Sequence, residues 1–222
     1  MRFYILILSC HRYPARREAC RETWLPRLLP DMRYRFYIGE GPGVNEPDVV
    51  QLSVPDTYEG LREKTPAALA HALQFEWDWL FKCDDDTYVV PERLEDTLRS
   101  VQLYPGYTKR EIRWGEPHYV GCVTRPGDFY GYGGGYFLDR WLVNRIVSSE
   151  PTNCIVNADM IAKGIGEDGW IGHVARKCSR YWCTEKINNN SKPTPTIYND
   201  LATCHSKDPI SMRQAHLAYI QL

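Results

Sequence analysis

The stretch Trp79-Leu80-Phe81-Lys82-Cys83 runs into three consecutive carboxylates, Asp84, Asp85 and Asp86, and Thr87 to Val90 then lead to a helix start at Pro91. A short apolar run of this kind reads as a buried strand. It delivers negative charge to its carboxyl end, which is where an open α/β sheet binds ligands. Three adjacent ionised aspartates repel one another, so they call for a counter-charge, most simply a hard divalent cation with oxygen ligands. The structural alternative is an acidic cap for the helix at Pro91, a task that one aspartate would complete.

The rest of the chain has to supply the sheet around that strand. Phe3 to Leu8 is apolar without alternation, the pattern of a central strand covered on both faces. Arg33 to Ile38 and Val49 to Val54 read as two more strands, separated by the turn-rich Gly39-Glu40-Gly41-Pro42-Gly43. Between strand one and these lies a basic helical segment, Arg16 to Trp24, in which Arg17, Arg21 and Trp24 recur at helical spacing. A solvated helix face accounts for it, and so does a phosphate site after the first strand. Tyr58 to Trp77 is broadly helical, and Pro66 marks either a start or a kink. A helix from Pro91 carries the stripe Leu94, Leu98 and Val101.

In the second half, His118 to Val123 reads as a strand, and Tyr130 to Leu138 is a glycine-rich approach to another. Those glycines suit either close passage of a ligand or a tight turn. Asp139 can cap a helix to about Val147, and Asp168 stands where the cap of the next helix belongs, with Trp170, Ile171, Val174, Ala175 and Cys178 inward. Lys186 to Thr196 reads as a surface loop, and the last helix opens at Asp208-Pro209, just after His205.

Composition narrows the partners. At 222 residues the chain suits one domain that buries about three quarters of its unfolded surface. With 27 basic and 28 acidic residues its formal charge is −1, which leaves no electrostatic footprint for nucleic acid. The run Phe3 to Leu8 is too short for a transmembrane segment and has no signal-cleavage pattern behind it, so a cytoplasmic location is expected, with a Golgi lumen the alternative for a trimmed catalytic domain. The eight cysteines, at 10, 20, 83, 122, 154, 178, 183 and 204, include no C-x-x-C pair and leave the redox compartment open.

Taken in order, these pieces resemble glycosyltransferase family 31, the fringe-type and β-1,3-galactosyltransferase-like enzymes. The resemblance rests on Arg17 with Arg21-Glu22-Thr23-Trp24, Lys64-Thr65, Phe81 to Tyr88, Gly133 to Leu138, Glu167 to Gly172 and His205-Ser206. Pro66 directly after Lys64-Thr65, and Gly169 where a branched residue is common, depart from the pattern. The resemblance implies a GT-A fold: one Rossmann-like domain with a mostly parallel central sheet flanked by helices, residues 1–90 forming the nucleotide-binding half and 91–222 the donor-sugar and acceptor half. It implies an inverting transfer from a UDP-sugar, with Mn2+ or Mg2+, to a glycan or glycoconjugate hydroxyl. In that picture Asp86 binds the metal with His205 and Asp84, while Asp84 and Asp85 also hold ribose, donor sugar or water. Arg21 and Lys64 lie near the nucleotide, Gly134 and Gly135 line the donor sugar, and Asp168 is the catalytic base. Two other readings compete: Mg2+-dependent phosphoester hydrolysis, and a carbohydrate-binding domain that keeps the fold without turnover.

Overall fold

The computed structural model describes residues 1–99, 101–103, 118–122, 134–148, 166–178, 180–184, 187–188 and 202–220. The uninterrupted apolar run at the start forms β1, Phe3–Leu8, and all six of its residues are buried. Ile5, Leu6 and Ile7 are completely covered, and each contributes about 2 kcal/mol of hydrophobic stabilisation. The helix α1 (Pro14–Glu22) follows, with proline in its first turn, then β2 (Met32–Ile38) and β3 (Val49–Gln51). The last of these is shorter than the expected Val49 to Val54. Leu52 still donates to the Ile38 carbonyl, and Pro55, which restricts the residue before it, lies just beyond.

The helix α2 (Leu61–Ala72) runs through Pro66 and does not start there. Burial of Lys64, Thr65, Ala68, Leu69 and Ala72 holds it on the sheet, although a proline nitrogen cannot donate within the helix. Next come β4 (Trp79–Asp84), β5 (Thr87–Val89), a 3-10 turn at Pro91–Arg93, and α3 (Leu94–Arg99). Leu94 and Leu98 are buried as the stripe predicts, while Val101 lies past the helix end and is half-buried.

The remaining elements are β6 (Gln102–Leu103), β7 (His118–Cys122), β8 (Tyr136–Asp139) and α4 (Arg140–Ser148), then α5 (Glu167–Cys178), β9 (Arg180–Thr184), β10 (Ile187–Asn188), β11 (Thr203–His205) and α6 (Pro209–Ile220). Asp139 caps α4 by accepting from the Leu142 amide at 2.7 Å, and Asp208 caps α6 by accepting from the Ile210 and Ser211 amides. The segment Tyr130 to Gly133 and most of Lys186 to Thr196 lie outside the described residues. Among the described residues no helix is long and apolar enough to cross a membrane.

Eight strands form one sheet in the order β3-β2-β1-β4-β8-β7-β9-β6, parallel from β3 to β4 and mixed beyond. A smaller sheet joins β10, β11 and β5. Alternate residues of β1 feed two cores: Phe3, Ile5 and Ile7 pack with Trp24, Phe36 and Phe81, whereas Tyr4, Leu6 and Leu8 pack with Ala68, Leu80, Leu142 and Ile171. Strand order reverses between β1 and β4. The crevice at their carboxyl ends is therefore the natural ligand position.

Candidate active site

The register of β1 on β4 sets Leu8 opposite Asp84. Consequently Ser9 and Cys10 on one strand and Asp84, Asp85 and Asp86 on the other leave the sheet side by side. They line a cavity of about 440 Å³, within the range of small-ligand sites. Its cationic wall is Arg12, Arg16 and Lys64, and Tyr13 and the 77% exposed Tyr58 form aromatic parts of its lining. A lining that holds both carboxylates and cations suits a ligand that carries both a metal and phosphate charge.

The three aspartates have different surroundings. Asp85 is buried, accepts from the Ser9 hydroxyl at 2.7 Å and takes Arg16 Nη1 at 3.2 Å. Burial nonetheless pushes its carboxyl up to about 6, with Asp86 adding to the rise and Ser9 and Arg16 opposing it. Asp86 takes the same Nη1 at 3.1 Å, and its carbonyl accepts from the Ser206 amide at 2.7 Å. That last bond, with pairing of His205 to Thr87, brings the backbone of His205 beside Asp86; the His205 side chain lies outside the described residues.

Asp84 leads to a different cluster. Alternation on β4 puts Lys82 and Asp84 on one face, and pairing with β8 puts Tyr136 opposite Lys82. The first turn of α5 then delivers Glu167 and Asp168 over the same spot. Lys82 Nζ, 1% exposed, lies 3.0 Å from Asp84, 3.1 Å from Glu167 and 3.0 Å from Asp168. Tyr136 donates its hydroxyl to Glu167 at 2.9 Å. Burial alone would lower the ammonium, but Asp168, Asp84 and Glu167 hold it well above the usual lysine value. Burial and the neighbouring Glu167 carboxylate push Asp168 well above the carboxylate range, against the pull of Lys82. At 20% side-chain exposure Asp168 still has access to solvent. A carboxylate that Lys82 holds in place and that solvent can reach is positioned to exchange a proton.

Of the other expected site residues, Lys64 lies on the cavity wall and Arg21, Gly134 and Gly135 do not. Arg21 is engaged by Asp48 at 2.7 and 2.9 Å and by Glu46, and it is not part of the cavity wall. Its neighbour Arg17 is fully buried between Glu46, the Cys10 carbonyl and Ser9. Lys64 does reach the cavity wall, held by Asp56 and the Ser9 carbonyl. Gly134 and Gly135 precede β8 and are buried, but neither lines this cavity. At φ +119° a side chain on Gly135 would be strained, and its Cβ would meet the Phe81 ring at 2.2 Å. Close packing onto β4 therefore explains that glycine by itself.

Lys82, Glu167, Tyr136, Ser9 and Arg16 are site residues that the sequence reading did not single out. For Lys82 the signal was present: a lysine inside a buried strand needs partners, and a spacing of two from Asp84 puts them together. As for a divalent metal, Asp84 and Asp86 are hard oxygen donors, and Mg2+-type sites commonly use one or two carboxylates with substrate phosphates. Among the described residues no three His, Cys, Asp or Glu side chains converge as a metal cage.

Comparison with known proteins bears on the fold and the family. A family model described as Galactosyltransferase matches residues 15–106. Two Arabidopsis thaliana relatives are named probable beta-1,3-galactosyltransferases 12 and 13. The first is 29% identical over 131 residues, covering 50% of this chain and 32% of the relative. The second is 23% identical over 219 residues, covering 80% and 63%. The chain thus spans about a third of one relative and just under two thirds of the other. Among solved structures, the galactosyltransferase LgtC aligns with a TM-score of 0.55 at 11% identity over 98% of this chain and 95% of its own. The Streptococcus pneumoniae glycosyltransferase GlyE aligns with a TM-score of 0.50 at 13% identity, over 84% and 46%. Residues 15–106 thus match the Galactosyltransferase family model, and the chain has the fold of the GT-A glycosyltransferases.

Proposed function

We propose that the protein is a metal-dependent, inverting glycosyltransferase that moves a hexose or N-acetylhexosamine from a UDP-sugar to a hydroxyl of a glycan or glycoconjugate, forming a β-1,3 linkage. The observation that carries this reading is the placement of the acidic triplet and Lys82 at the carboxyl end of β4, with Asp168 joined to Asp84 through Lys82 Nζ. The names of the family and of the plant relatives support galactose as the first donor to test.

In this mechanism Asp168 removes the proton of the acceptor hydroxyl as that oxygen bonds to the anomeric carbon. The bond from that carbon to the diphosphate oxygen breaks on the opposite face, which inverts the centre. The proton finishes on Asp168, and a base so positioned contributes roughly 100- to 10,000-fold. Lys82 and Glu167 hold Asp168 in place, and Arg12, Arg16 and Lys64 face the developing charge on UDP. Asp86 and Asp84, with His205, would hold a Mn2+ or Mg2+ ion, which would supply Lewis-acid stabilisation of the diphosphate.

The test is UDP release from a panel of UDP-sugars, each with Mn2+ and with a chelator, for the protein and its Asp86→Ala variant. The expected result is slow hydrolysis or transfer from one donor, lost with chelator and lost in the variant. Absence of both UDP binding and turnover in folded protein would overturn the reading.

A further inference from the structure

Arg16 stands apart from the other arginines of α1. Its Nη1 bridges Asp85 at 3.2 Å and Asp86 at 3.1 Å, and its Nη2 donates to the Lys207 carbonyl at 2.9 Å. The guanidinium lies 4.1 Å from the centre of the Tyr13 ring, and the side chain is 23% exposed on the cavity wall. Arg17, one residue on, is sealed in protein and held by Glu46, Ser9 and the Cys10 carbonyl. A stacked, partly solvated guanidinium can rotate over its ring while keeping that contact, which a sealed one cannot.

Two cations cannot share Asp86 without strong repulsion at these distances. A diphosphate, in contrast, offers the same planar fork a better-matched pair of oxygens. We propose that Arg16 is a built-in competitor for the divalent cation, bridging Asp85 and Asp86 until a nucleoside diphosphate draws it away, so that cation and nucleotide bind as a linked pair. The proposal rests on the metal-dependent donor site described above. It adds that the order of loading is written into one side chain: cation alone binds weakly, nucleotide moves Arg16, and cation then binds well. By linkage, each ligand must tighten the other by the same factor.

The measurement is Mn2+ binding to the intact protein, followed by calorimetry and by the paramagnetic resonance of free Mn2+, with and without UDP. Arg16→Gln, which removes the competing charge, is expected to bind Mn2+ about tenfold more tightly without UDP. Arg16→Lys keeps a competing cation on a shorter side chain without the planar fork, so it should fall between, at about threefold. The mutual tightening by Mn2+ and UDP should shrink in both variants, most in Arg16→Gln. If the wild-type protein binds Mn2+ and neither variant binds it more tightly, the proposal is wrong while the metal site stands. Should Arg16→Gln not fold, Arg16→Lys decides alone by the same criterion. If the wild-type protein takes up no Mn2+ even with UDP, the metal-dependent reading itself fails and the competitor role falls with it.

Discussion

Two clusters of buried charge flank the carboxyl end of β1, and they differ in balance. In the first, Arg17 and Arg21 face Glu46 and Asp48, two cations against two anions, with the exposed Glu18 pairing with Arg21 at the edge. In the second, Lys82 alone faces Asp84, Glu167 and Asp168. The balanced cluster ties α1 to the segment before β3 and leaves its carboxylates depressed: Arg17 and Arg21, against burial, hold Glu46 down to about 2. In the unbalanced cluster burial, with the neighbouring carboxylates adding to it, raises the proton affinity of Asp168 and of Asp84. Paired charge serves as scaffold, and surplus charge of one sign is available for chemistry.

The comparison can be broken most sharply at Asp168. Asp168→Asn should lower turnover by roughly 100- to 10,000-fold with UDP binding and thermal unfolding little changed. Near-normal turnover in folded Asp168→Asn would remove the base from that position. Next in size, Lys82→Met strands three carboxylates around a buried site, which costs about 3–5 kcal/mol by urea unfolding. If the loss were under about 1 kcal/mol, Lys82 would not be the charge that holds the cluster together.

Smaller effects belong to the balanced cluster. Arg21→Gln should cost about 1–2 kcal/mol of stability and leave UDP affinity unchanged, since Asp48 and Glu46 keep the guanidinium off the cavity wall. A clear drop in UDP affinity would return Arg21 to the nucleotide site. The least effect is a pH dependence. Because the folded protein holds Glu46 below its ordinary value, its ionised form contributes stability above about pH 4.5 that is lost as pH falls toward about 2. After allowance for screening at its partly exposed position, roughly 1 kcal/mol should disappear across that window and be absent in Glu46→Gln.

Much of the scaffold was legible because local pattern and tertiary demand coincide there. The run Phe3 to Leu8, the cap at Asp139, the helix opening at Asp208-Pro209, and the strand that ends in three aspartates all became what their residues predict. Legibility fell where an element's limits depend on its neighbours. Pairing set the short β3, and burial carried α2 through Pro66. In the site, residue type was readable and partnership was not. A basic helix after β1 announces a cationic function, but helical spacing alone does not separate Arg16 at the aspartates from Arg21 at Asp48. Glycines before β8 suggested ligand approach, whereas a positive φ and the Phe81 ring account for Gly135.

By itself, the sequence determined an α/β chain with a covered first strand and an acidic triplet at the carboxyl end of β4, because apolar periodicity and adjacent charges act over a few residues. Only the tertiary structure decided which charges meet. Glu167 and Asp168 reach Lys82 from 85 and 86 residues away, and Arg16 reaches Asp85 from 69. Such encounters depend on strand register and on which helix covers which face of the sheet. No local propensity specifies them.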